Sequence, residues 1–281
     1  MKNLYRREGG IALLQVLLMV AVISVLALQM SYSSKDKVAV AQALQDKVLA
    51  EVDLRTLESE LLYELATKRW VNGEEGEIAT EWNFYGKPFI TPSGHRVSIQ
   101  DNDGLVSVFN GGSRATVEPL LTQMLGARHR AVSVRNQLIE LQGFVSGSSS
   151  EMSGQFFQSR SELTNALSEA GLEEDDVLLF TRIPNRAFLP LQAPDRLLRL
   201  WLPERQAEAI IELRSKGRMD AASFRQITGI HSSDEVRFYP SGRFMIELVV
   251  NKGTSRALKR MFINMSPLSN TQPIWFFGVE G

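Results

Sequence analysis

The reading of the chain turns on Lys2-Asn3-Leu4-Tyr5-Arg6-Arg7-Glu8-Gly9-Gly10-Ile11-Ala12-Leu13-Leu14-Gln15 and on the apolar run that continues from there to Met30. Residues Gly10 to Ser34 carry no charge, and the basic leader Lys2, Arg6, Arg7 stands directly in front of them. The segment Ile11–Met30 is twenty residues long, interrupted only by Gln15, Ser24 and Gln29. About 20 apolar residues cross a bilayer as a helix. Lys and Arg stay on the cytoplasmic side, so the leader is expected to face inward and Lys35 onward to be exported. A secretory signal peptide fits less well. Its apolar region runs about 7–15 residues and ends in a small-residue cleavage site, whereas this run is longer and Leu28-Gln29-Met30-Ser31 makes a weak site.

Bulk properties bound the rest. The 281 residues suffice for one large or two small domains. With 31 basic and 32 acidic side chains the net charge is −1, without the basic excess of a general nucleic-acid binder. Cysteine is absent, which excludes disulfides, a thiol nucleophile and thiolate metal sites. His95, His129 and His231 are far apart and form no ligand motif.

Neither Gly nor Pro occurs between Ile11 and Val71. Beyond the apolar run, Val40, Leu44, Val48, Leu54, Leu57, Leu61 and Leu65 recur close to a helical period. One helix from Ile11 to about Ala66 would be roughly 84 Å long at ~1.5 Å per residue. Its first half would lie in lipid, and its second half would bury one stripe against a globular body. The alternative is a membrane anchor followed by a separate helix. Asn72-Gly73 ends the helical pattern, an acidic loop Glu74–Glu77 follows, and Trp82–Phe89 reads as an irregular, partly packed segment. Arg96–Gln100 and Leu105–Phe109 read as two strands, joined as a hairpin by Asp101-Asn102-Asp103-Gly104, whose Asp-Gly pair suits the positive φ of such turns.

From Ser113 to Gly229 the helical period dominates. Expected helices are Val117–Leu125, Val132–Gln142, Ser161–Ala170, Asp175–Phe180, Pro194–Leu202, Glu204–Lys216 and Ala221–Ile227. Ser159 with Glu162 is a capping-box signature, Pro194 suits a first helical position, and Gly143–Ser153 is a Gly/Ser-rich loop. A weak internal similarity relates two units. Leu105–Asn110 leads into a helix at Leu120-Leu121, as Arg186–Leu191 leads into Leu197-Leu198; Phe157–Leu163 is echoed by Met219–Phe224. Leu200–Ile230 resembles a helix-hairpin-helix module. Such modules hold phosphate on the backbone of a Gly-x-Gly turn. Here the turn reads Trp201-Leu202-Pro203-Glu204, with no glycine, a proline that lacks an N–H, and a carboxylate; DNA binding is therefore not expected. After His231, Arg243–Val250 and Ala257–Met265 read as strands joined by Asn251–Ser255, with a last strand at Ile274–Val279. Together with Arg96–Phe109 they could form one antiparallel sheet, with the helical block inserted.

Arg6-Arg7-Glu8-Gly9-Gly10-Ile11-Ala12-Leu13-Leu14 resembles the class III leader of type IV pilins and pseudopilins. The resemblance implies cleavage by a prepilin peptidase between Gly10 and Ile11 and N-methylation of Ile11. Leader, spine, strands and inserted helical block together resemble the K-type minor pseudopilin of bacterial type II secretion (the general secretion pathway). The most telling tracts are Trp82-Asn83-Phe84-Tyr85-Gly86, Val97–Asn110 and Gln192-Ala193-Pro194. Several motif positions depart from the family, including Asn110 in place of a longer Asn-Leu-Asn run.

The resemblance implies an α+β, pilin-like fold: a long N-terminal transmembrane helix on an antiparallel sheet, with an inserted all-α domain. The expected organisation is a leader (1–10), a membrane helix (11–33), a pilin body (34–112), the inserted domain (113–230) and returning strands (231–281). Gln15 would be the fifth residue of the mature chain, where most pilins carry a Glu that pairs with a neighbour's N-terminal ammonium. A buried carboxylate needs such a partner. A neutral Gln suits a tip subunit with no neighbour above it, or is simply a tolerated polar residue. Implied partners are the I- and J-type minor pseudopilins, the major pseudopilin, prepilin peptidase, the inner-membrane assembly platform and the lipid bilayer. The implied location is the bacterial inner membrane, single-pass, with the C-terminal domain periplasmic. The alternatives are a minor pilin of a type IV pilus and a membrane-anchored nucleic-acid-binding module.

Asp101-x-Asp103-Gly104 has part of the spacing of a calcium loop, but lacks an acid two residues earlier and has Asn110 where the closing Glu would stand. Asp101 and Asp103 are thus weak calcium candidates. Some K-type relatives bind structural calcium; no other cofactor is implied. Glu173-Glu174-Asp175-Asp176 reads as a solvated helix start. The sequence shows no nucleophile–base set, phosphate loop or zinc motif, so an enzyme is not expected.

Overall fold

A computed structural model describes residues 5–71, 74–109, 114–143, 157–265 and 273–280. They divide into two compact units: one holds the described residues up to Asp53 with Val250–Ala257, the other Leu54–Val249 with Leu258 onward.

The first unit is dominated by α1, Tyr5–Thr67, a single helix that runs on into the second unit. It begins ahead of Gly9-Gly10, earlier than the expected Ile11, and beyond that pair it meets no Gly or Pro and continues unbroken. It is long and apolar enough to cross a membrane, with an 18-residue window of mean hydropathy 2.4 that buries none of its residues. Val40, Leu44 and Val48 are exposed as well, at 69%, 63% and 53%. The expected buried stripe therefore starts only at Ala50. The turn between β5 (Arg243–Lys252) and β6 (Ser255–Met265) grips the helix here. Asp46 accepts from the Thr254 amide at 3.0 Å, Ser255 Oγ donates to the Ala43 carbonyl, and Lys252 pairs with Asp53. Gly253 has φ +50°, and a Cβ there would overlap the Asp46 carboxylate. Gly253→Ala is expected to break the Asp46–Thr254 bond at a cost of about 1–3 kcal/mol. The readout is hydrogen exchange at the Thr254 amide, which should accelerate strongly; unchanged protection would contradict the role of this grip.

In the second unit the end of α1 buries Leu54, Leu57, Leu61 and Leu65 along one face. The indole of Trp70 donates to the Leu65 carbonyl at 2.7 Å, satisfying one of the acceptors that a helix end leaves open. The buried Glu64 carboxylate accepts from the amides of Glu77, Ile78 and Ala79, fixing the turn that follows. The main sheet has the order β1-β2-β5-β6-β7, where β1 is Phe89–Ile90, β2 is Arg96–Asp101 and β7 is Ile274–Glu280. The registered pairs β1–β2, β2–β5 and β6–β7 are antiparallel, with Ile99 opposite Ile246 in β2–β5. The Trp82–Phe89 tract is irregular, as expected. Trp82 and Phe84 stack in tilted contact, and Phe84 and Trp70 both meet Phe244.

The expected hairpin at Asp101–Gly104 does not form. Asn102–Gly104 is a 3-10 turn, Gly104 does not use the left-handed region, and the second strand shrinks to β3, Val106–Ser107. That strand pairs in parallel with β4, Phe180–Thr181, outside the main sheet. All three residues of the turn are buried, and beyond it the chain leaves the main sheet. Strand β2 takes β5 as its neighbour instead.

The helical block comprises α2 (Arg114–Leu125), α3 (Arg128–Leu141), α4 (Arg160–Glu169), α5 (Glu174–Val177), α6 (Asp195–Trp201), α7 (Glu204–Ser215) and α8 (Ala221–Thr228). The expected helix Asp175–Phe180 thus stops at Val177, and Phe180 begins β4. Pro194 caps α6 rather than opening it. Ser159 Oγ accepts from the Glu162 amide as the capping box requires, while Glu162 reaches back to Gln158. Most of the Gly143–Ser153 loop, residues 144–153, lies outside the described residues. Leu120, Leu121, Leu197 and Leu198 share one hydrophobic core that runs from Val106 to Phe238. The two similar units thus pool their apolar side chains, and their short helices α4 and α8 are both capped by side chains, Ser159 and Asp220. The acidic run is not simply a solvated helix start: Asp176 is buried and bonds Arg196 at 2.8 Å.

Candidate functional site

Two places carry the functional reading: the N-terminal stretch of α1, and the junction where the sheet meets the helical block. Gly10 and Ile11 lie on the helical backbone of α1, and Gln15 is exposed one turn further on. The uncharged stretch that follows is mostly hydrocarbon as far as Met30, interrupted only by Ser24 and Gln29, a surface that a bilayer accepts.

The junction is built around the 3-10 turn. Asp101 caps it, accepting from the Asp103 amide at 2.9 Å, and also takes the Ser241 amide and hydroxyl at 2.6 and 2.7 Å. Asp103 pairs with Arg243, whose other terminal nitrogen donates to the Pro184 carbonyl at 2.6 Å. Asn102 accepts from Thr181 and donates to Asn185, and Asn185 donates to the Leu105 carbonyl. Gln100 Nε2 reaches the Gln192 carbonyl at 2.9 Å. On the far side of Gln192, Arg214 of α7 donates to the carbonyls of Leu191 and Ala193, pairs with Asp195, and lies 4.0 Å over the ring of Tyr85. Burial holds the Arg214 pKa below its ordinary value, with Asp195 opposing; burial likewise raises the Tyr85 hydroxyl. Two arginines thus fasten helical-block backbone to sheet-side residues.

Burial pushes the Asp101 carboxyl from the ordinary 3.8 up to about 7, against the bonds donated by Ser241 and Asp103. A raised acid favours the folded state most below the unfolded value, and that advantage is lost as pH rises through the folded value. Stability relative to Asp101→Asn is therefore expected to fall between about pH 4 and pH 7, by at most about 4 kcal/mol. Urea unfolding of both proteins across this window checks it; a difference that grows with pH contradicts it.

The sequence singled out Asp101 and Asp103, and the structure brings them together. It surrounds them with donors rather than with further carboxylates. Among the described residues no group of three or more His, Asp or Glu side chains gathers as a metal site. Sequence reasoning missed Glu64, Ser241 and Arg243, and it noted the Gln192-Ala193-Pro194 tract and the helix that carries Arg214 without reading their part in this junction. Their partners are mostly backbone groups distant in the chain, for which no local pattern exists. At the helix-hairpin-helix-like turn, Pro203 caps α7 and Glu204 opens it, so the place where phosphate would meet backbone amides holds a carboxylate.

The fold is α+β: a long N-terminal apolar helix, an antiparallel sheet, and a helical block between its early and late strands. No protein-family model and no curated protein matches the chain. Among solved structures it is similar to a chain of the GspK-GspI-GspJ complex from the type 2 secretion system of enterotoxigenic Escherichia coli. The identity is 10%, the match covers 87% of this chain and 98% of that chain, and the TM-score is 0.44.

Proposed function

We propose that the protein is a K-type minor pseudopilin of a type II secretion system, an assembly component rather than an enzyme. The observation that carries this is the unbroken α1, whose uncharged, uncovered apolar stretch begins directly behind Arg6-Arg7-Glu8-Gly9-Gly10. Prepilin peptidase would cut between Gly10 and Ile11 and methylate Ile11. The helix would then move from the inner membrane into a nascent pseudopilus. Val40, Leu44 and Val48, exposed beyond the apolar run, would pack against the spines of I- and J-type partners and of the major pseudopilin. A helical block inserted between strands of the body hinders stacking inside a filament, and Gln15 has no carboxylate to offer a subunit above. Both features favour the tip, where the protein would help initiate assembly and so support export of folded proteins from the periplasm.

Deleting the gene tests this. Folded secretion substrates are expected to accumulate in the periplasm while surface pili and motility persist. Intact secretion with lost pili would assign the chain instead to a type IV pilus.

A further inference from the structure

The Asp101–Gly104 loop carries part of the spacing of a divalent-cation loop, and the groups around it decide what neutralises it. Calcium takes 6–8 oxygen ligands. Here the carboxylate oxygens face hydrogens. Asp101 takes two N–H groups and one hydroxyl. Asp103 Oδ1 faces Arg243 and the Asn102 side-chain amide, and Oδ2 faces the Arg186 amide. A metal ion would have to displace these donors, so the residues do not fit one.

We propose that Arg243 takes the place of a metal ion at this junction. Its guanidinium is a built-in cation that neutralises Asp103 and ties the Pro184 segment to β5, so the joint holds without divalent ions. The geometry suits a planar fork and not a sphere: one terminal nitrogen meets a carboxylate and the other a backbone carbonyl. The pair is withdrawn from water, with side-chain exposures of 12% for Arg243 and 2% for Asp103. A buried carboxylate stripped of its partner is strongly unfavourable. The inference rests on this contact set alone and stands apart from the assembly role.

The test uses the full chain in detergent micelles, melted in excess EDTA and in millimolar calcium chloride. Wild type is expected to melt within about 1 °C in both, since its cation is covalent. Arg243→Ala is expected to melt about 6 °C or more lower in EDTA, and to regain part of that loss with calcium, which can enter the oxygen-lined space left behind. Arg243→Lys keeps the charge and should fall between the two, insensitive to calcium. It carries the test if the alanine variant does not fold. A wild-type melting point that depends on calcium, with the dependence abolished by Asp103→Asn, would overturn the proposal. So would an Arg243→Ala protein as stable as wild type, a folded Arg243→Ala that calcium does not help, or a calcium-dependent Arg243→Lys.

Discussion

Replacing Gly104 with alanine is expected to lower stability by about 3 kcal/mol, the upper end for overpacking a tight interior. A Cβ at this position would overlap the carbonyl oxygen and carbon of Gln192 and sit 3.0 Å from Gln100 Nε2. The obstruction is backbone on one side and a bonded amide on the other, so no flexible side chain can swing away. Relief requires parting the 3-10 turn from the Pro190–Gln192 segment. That movement also strains the Gln100 bond to the Gln192 carbonyl and the bond that the Leu189 amide donates to the Asp103 carbonyl. Urea unfolding of the full chain in detergent checks this; a loss under about 0.5 kcal/mol would mean the contact is slack.

Arg214→Ala should be comparably severe, at about 3–5 kcal/mol. The residue is only 4% exposed. Its removal strands the carbonyls of Leu191 and Ala193, deprives Asp195 of its partner, and uncovers the ring of Tyr85. Lysine is not equivalent: Arg214 meets the two carbonyls from one nitrogen and the carboxylate from the other while its plane covers Tyr85, whereas an ammonium has a single nitrogen and no flat face. Arg214→Lys is therefore expected to retain less than half of the contribution. Denaturant midpoints of both variants decide it, and a lysine variant as stable as wild type would show that charge alone matters.

What could be read in the sequence follows the range of the interactions involved. Helix α1 was legible because a long stretch free of Gly and Pro has one dominant conformation, and the capped helices α4 and α8 because their signals lie within a few residues. The extent of the buried stripe was not. Val40, Leu44 and Val48 recur every four residues, as Leu57, Leu61 and Leu65 do, and only the tertiary structure decides which are covered. The Asp-Gly pair at 103–104 misled because hairpin chemistry is local, whereas the partners of β2 and β3 lie far along the chain in β5 and β4. Asp101 and Asp103 were noticed for their spacing, but their donors, Ser241 and Arg243, enter from a distant strand and its approach. The buried arginines left no trace in a chain whose overall charge is balanced.

The central claim is that the chain is processed in front of its apolar helix and then used as an assembly subunit. Mass spectrometry of the N-terminal peptide from protein purified out of the cell envelope tests it most directly. The expected species begins at N-methylated Ile11; a chain that still begins at Met1, with its basic leader intact, would contradict the account.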